Sequence, residues 1–252
     1  MRIHYELEGE GRSLVLIPPP FGDLNFFRIS GHVNALRARC QVIRVDPRGH
    51  GGSDRPTDRS AHSIDAYRED LRAVLDAAGA DKVVLAGPYG GVYAGWEFAQ
   101  AYPDRVSALI DFDAFEVPDL CEHPDRDSDL EFARNLRVRG RQVLREHVES
   151  YGVSTDTPIA QNIIASDPES VASEMETWAN WHGPVSLLPR LSIPILLLRN
   201  GDTKREYLDR IRETVGSRGE LHVVSGVGHW RMVTEVEPTL PLVRTFLSRT
   251  DM

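Results

Sequence analysis

An α/β fold is predicted by three features of this 252-residue sequence: short strand-like runs alternate with helical patterns, several runs are apolar at every position, and one long central stretch breaks the alternation. Runs apolar throughout suit strands covered on both faces by helices, as in a mostly parallel sheet. The alternation itself separates this class from all-α and all-β alternatives.

Taken in order, the runs are Ile3–Leu7, Leu14–Ile17, Gln41–Asp46, Lys82–Gly87, Ala108–Asp111, Ile195–Leu198 and Leu221–Ser225. The clearest helical pattern places Ile64, Tyr67, Leu71, Val74 and Ala78 at three- and four-residue steps, with Ser63 as N-cap and Gly79 as stop signal. From about Ala114 to Pro189 no strand pattern occurs, and the stretch is polar, charged and helix-prone. A strandless segment of that length between two sheet strands reads as a helical insertion rather than a loop. The expected organisation is therefore a core of residues 1–113 and 190–252, interrupted by a helical lid over 114–189.

Composition narrows the function classes. Hydrophobic residues at 41% and charged residues at 27% are ordinary for a globular protein, so disorder of the whole chain is excluded. A formal net charge of −9 disfavours a nucleic-acid partner, which would need a basic footprint. Neither a signal peptide nor a membrane span is legible, and Cys40 and Cys121 are too few for a disulfide scaffold or zinc cluster. The expectation is a cytoplasmic protein acting on a small molecule, with no metal and no cofactor, and with a homodimer left open.

Chemistry concentrates in four turns. Asp46-Pro47-Arg48-Gly49-His50-Gly51-Gly52-Ser53-Asp54 follows the third run, and Gly87-Pro88-Tyr89-Gly90-Gly91 links the fourth to a helix ending in AYPDRV. Gly226-Val227-Gly228-His229 follows the last run, and Pro18-Pro19-Pro20-Phe21-Gly22 the second. Together the first three turns resemble the α/β-hydrolase superfamily, over nearly the whole chain outside the insertion. In that family the first turn is architectural, the second is a strand–turn–helix elbow carrying the nucleophile at its centre, and the His after the last strand is the base.

Carried residue by residue, the resemblance makes His229 the general base and puts Tyr89 where Ser, Cys or Asp is usual. A phenol with an ordinary pKa near 10 is a poor nucleophile but a good hydrogen-bond donor. Tyr89 is thus expected to contact substrate or transition state, or to fill a site whose chemistry is lost. One oxyanion-hole donor would be the Gly90 N–H. The other falls on Pro20, which has no N–H, or on Phe21. The acid orienting His229 is Asp113, from the position some relatives use, or Asp202, from the loop after Ile195–Leu198. Trp178, Trp181 and His182 at the end of the insertion, with Phe21, Phe26 and Phe27, are packing residues or the lining of a pocket for a flat apolar ligand.

Three functional readings follow. The first is an α/β-hydrolase-fold enzyme using a His–Asp dyad for acid/base chemistry without an acyl-enzyme: lyase, cyclisation, elimination or direct water activation. The others are a hydrolase of an ester, epoxide or C–C bond with a non-standard nucleophile, and an inactive ligand-binding pseudoenzyme.

Overall fold

The computed structural model describes residues 1–56, 58–114, 126–181 and 191–250. Cys121 and His182 therefore lie outside the described residues, as do parts of the predicted lid next to both of its boundaries.

Seven strands form one sheet: β1 Tyr5–Glu8, β2 Arg12–Leu16, β3 Cys40–Val45, β4 Val83–Gly87, β5 Val106–Phe112, β6 Ile195–Asn200 and β7 Gly219–Val224. Their order is β1-β3-β2-β4-β5-β6-β7, with β1 antiparallel to β3 and every other pairing parallel. Every run read as a strand in the sequence is one, within a few residues at each end. β4 is buried along its whole length, while β7, at the sheet edge, is mostly half-buried.

Among the described residues the helices are α1 Phe26–Ile29, α2 His32–Leu36, α3 Ile64–Ala77, α4 Tyr89–Ala101, α5 Arg126–Arg139, α6 Arg141–Ser150, α7 Pro158–Ala165, α8 Pro168–Ala179, α9 Arg205–Val215, α10 His229–Thr234 and α11 Leu240–Arg249. The Ser63 hydroxyl caps α3 by accepting from Ala66 N, and Gly79 follows its end at φ +64°. Helices α5 to α8 stand between β5 and β6 in the chain, where the alternation was lost.

The turn at Asp46–Asp54 is a brace. The Asp46 carboxylate accepts from Leu24 N at 2.7 Å and Gly52 N at 2.8 Å and bonds His4 Nδ1 at 2.7 Å; Ser53 Oγ donates to the Asp46 carbonyl. Arg48 donates to Asp70 and to the Ala66 carbonyl and lies over the Tyr67 ring, fastening the turn to α3.

Candidate active site

Four loops leave the carboxyl ends of β2, β4, β5 and β7 on the same side of the sheet, the side where open parallel sheets hold their ligands. The elbow is the tightest of them. A Cβ on Gly91 would come within 2.3 Å of the Ile17 carbonyl oxygen and one on Gly87 within 2.6 Å, so only glycine lets the β2 loop pass. Tyr89 takes φ +42°, unusual for a bulky side chain and a mark of local strain. The geometry of a nucleophile elbow is therefore kept although its residue is a tyrosine.

After β5, Asp113 also adopts a left-handed backbone, at φ +55°. Its carboxylate accepts from Asn200 N and Asn200 Nδ2 at 2.8 Å each and bonds His229 Nδ1 at 2.8 Å. Burial is the largest single influence and pushes its pKa upward. The bonds from His229 and Asn200, with the charges of His229 and Arg199, together outweigh it and hold the group below the ordinary value. Arg199 is itself buried beneath the pair, on Asp111 at 2.8 Å. Asp202, the other sequence candidate, is exposed; its carboxylate stands beside Gly228, and its backbone N–H donates to Asn200 Oδ1. Of the two acids, the structure brings Asp113 to His229.

A cavity of about 170 Å³ opens beside this pair, its lining mostly apolar. His229, Tyr89, Pro19, Phe21 and Phe26 reach it from the core. Ser128, Asp129, His147, Tyr151, Ile163 and Met175 reach it from the inserted helices, and Trp230 follows His229 into it. The Tyr89 hydroxyl donates to Asp129 Oδ2. His147 packs between Phe21, tilted to it at 5.0 Å between ring centres, and Tyr151, edge-to-face at 5.3 Å; burial first, then the neighbouring His229, lowers its pKa to about 4. Burial first, and Asp113 second, push the Tyr151 phenol up.

Several sequence expectations for the lining are corrected. Trp178 and Trp181 do not line this cavity. Trp178 is fully buried, donates from Nε1 to Glu174 at 3.0 Å and packs on Tyr67, while Trp181 donates to Glu97 and stacks on Tyr93 at 4.6 Å. Trp178, on α8, thus packs towards α3, and Trp181, just past the end of that helix, towards α4. Gly90 and Pro20 also lie off it: a Cβ on Gly90 would meet Trp178 Nε1 at 2.5 Å and Pro20 Cγ at 3.1 Å, and Pro19 is the loop proline on the cavity wall. Phe21 is where it was expected.

Sequence reasoning missed Asp129, His147, Tyr151 and Trp230. The four-residue step from His147 to Tyr151 signals a shared helix face, and Trp230 directly follows the His already singled out. Asp129 is one of several acids in DRDSD and had no distinguishing signal.

Among the described residues no helix is long and apolar enough to cross a membrane, and no cluster of His, Cys, Asp or Glu has the arrangement of a metal site.

Residues 13–160, more than half the chain, match the family model described as alpha/beta hydrolase fold, and the chain belongs to that family. It is 31% identical over 112 residues to epoxide hydrolase 4 of Mus musculus, a match covering 44% of this chain and 31% of that relative. A longer match, to epoxide hydrolase 3 of Mus musculus, is 24% identical over 256 residues and covers 91% of this chain and 69% of the relative. Among solved structures, a thermophilic esterase from Thermogutta terrifontis superposes with a TM-score of 0.84 at 23% identity, over 99% of this chain and 94% of that one, a likeness of fold.

Proposed function

We propose that the chain is an enzyme that uses a His229–Asp113 dyad for general acid/base chemistry on a small apolar or aromatic metabolite, without an acyl-enzyme. The carrying observation is the 2.8 Å bond from His229 Nδ1 to an Asp113 carboxylate that Asn200 holds from two sides, with the same imidazole at the cavity wall. A carboxylate accepting the Nδ1 proton fixes the tautomer, so proton exchange with a ligand falls to Nε2. His229 takes a proton from a carbon acid, a hydroxyl or a water molecule, Asp113 stabilises the imidazolium so formed, and the proton returns to the leaving atom. Tyr89 in place of a hydroxyl or carboxylate nucleophile supports a route with no covalent intermediate at the elbow.

The likeness to epoxide hydrolases favours a second reading, in which His229 delivers water directly to a strained or activated electrophile. One experiment covers both. Solvent deuterium exchange into small aryl carbon acids and hydration of styrene oxide are followed for the wild type and His229→Gln. Loss of at least about a hundredfold is expected for whichever activity is found. Undiminished turnover in the variant would remove the dyad from the mechanism. Labelling of a serine by a fluorophosphonate, with loss of activity, would return the chain to the acyl-enzyme hydrolases.

A further inference from the structure

We infer that His147 is a further catalytic residue of the cavity: it donates to a ligand's carbonyl oxygen while His229 takes a proton from the carbon beside it. This rests on the dyad reading above and narrows the substrate to an aromatic carbonyl compound with an acidic C–H.

The unfilled bonding capacity of His147 carries the argument. A neutral imidazole has one N–H to give and one lone pair to receive, and polar groups packed among apolar ones ordinarily find partners. His147 packs against Phe21, Phe132 and Tyr151, yet its ring has no hydrogen-bond partner and no ion pair among the described residues. His32 shows a different outcome: its Nδ1 bonds Ser30 Oγ at 2.8 Å, and its Nε2 is without a partner but sealed in the core. His147 instead lines the cavity, so its bonding capacity falls to what the cavity holds.

The neighbours suit that task. Burial first, then His229, keep His147 uncharged at neutral pH, with a pKa of about 4, so it acts as a neutral donor and leaves the role of base to His229. The elbow leaves the carbonyl unserved. Tyr89 gives its hydroxyl to Asp129, Gly90 lies under Trp178, and Pro19 has no N–H. Tyr151 stands between the imidazoles, 5.3 Å from His147 and 6.1 Å from His229 between ring centres, so one small ligand against its ring reaches both. The space of about 170 Å³ takes an aromatic ring with a short substituent, since roughly 150 Å³ is enough for benzene.

The step balances without a co-reactant. His229 Nε2 takes the proton, the C–H pair becomes a carbon–carbon double bond, and the carbonyl π pair moves onto oxygen, where the His147 N–H meets it. Return of the proton to carbon restores the ketone. In heavy water a deuteron returns instead.

Acetophenone and α-methylstyrene, which share a shape and differ by a carbonyl oxygen against a methylene, test this on the full chain at neutral pH. Dissociation constants for both are measured with the wild type, His147→Phe and His147→Gln, and deuterium uptake into the acetophenone methyl group is followed by NMR. His147→Phe, which keeps a ring among aromatic neighbours, is expected to weaken acetophenone about tenfold relative to α-methylstyrene and to slow exchange about a hundredfold. His147→Gln, whose amide still donates, is expected to retain most of the preference. An equal change for both probes in His147→Phe, or exchange near the wild-type rate, would assign His147 to packing and overturn the inference, while loss of exchange in His229→Gln would still uphold the dyad. Absence of acetophenone binding or exchange in the wild type would overturn the carbonyl assignment and leave the dyad to other substrates. Exchange untouched in both His147→Phe and His229→Gln would remove both readings.

Discussion

The two sides of the cavity are built from similar turns on one sheet, yet they are held in different ways. On the dyad side, Asp113, Asn200 and His229 follow or end β5, β6 and β7, and their bonds run between core elements. On the elbow side, Tyr89 sits on an equally strained turn, but its hydroxyl is claimed by Asp129 from an inserted helix. The phenol has one proton to give, so stabilising an oxyanion on a ligand would require the bond to Asp129 to break. The core thus fixes the base, while the insertion decides what the elbow residue does.

The sharpest way to break this comparison is at Asp113. Asp113→Asn should lower activity by about a thousandfold, because an amide cannot enforce the tautomer or stabilise the imidazolium, and it should leave the far-ultraviolet spectrum unchanged. Turnover within tenfold of the wild type would mean that the dyad is structural only.

Next comes the elbow backbone. Gly91→Ala drives a methyl group to 2.3 Å from a backbone oxygen that cannot move aside, and a loss of roughly 3 kcal/mol or more is expected in urea unfolding. A mild effect would show that the elbow is less tightly wedged than the dyad.

Acid sensitivity should report on the inserted wall, beside a core contribution from His32, whose pKa burial lowers to about 3. His147 has a folded pKa of about 4, below the ordinary value of 6.5, so between those pH values the unfolded chain binds more protons than the folded one. Its contribution is fully present above pH 6.5 and is lost as pH falls towards 4. His147→Phe should therefore flatten the stability profile across that window by roughly 2–3 kcal/mol, read from urea midpoints at several pH values. The smallest effect is expected from Tyr89→Phe. It removes the bond to Asp129 but keeps the ring, and should cost about 1 kcal/mol in a thermal melt.

Much of this architecture could be read directly. The β4 run, apolar throughout, is the fully buried strand it resembles, and the α3 pattern begins at the predicted cap and ends next to its predicted stop. His229 and Asp113 were found because each stands at a fixed offset from the end of a strand. The tryptophans were less tractable: in ETWANWHGP they offer large apolar area, but the text does not say which face of α8 meets the core. Helix α8 turns Trp178 onto Tyr67 and sends Met175 to the cavity, and the chain just past its end sets Trp181 on Tyr93.

The sequence alone determined the order of strands and helices, the glycines that let the elbow pass, and the replacement of the usual nucleophile by Tyr89, because strand periodicity, tight-turn sterics and side-chain chemistry are local properties. Only the tertiary structure decided which acid meets His229, which aromatic rings face the cavity and which carboxylate holds the Tyr89 hydroxyl. Those pairings join residues far apart in the chain, up to the 116 positions between Asp113 and His229; the dyad depends on which strands the sheet sets side by side, the other two on how the inserted helices rotate onto it.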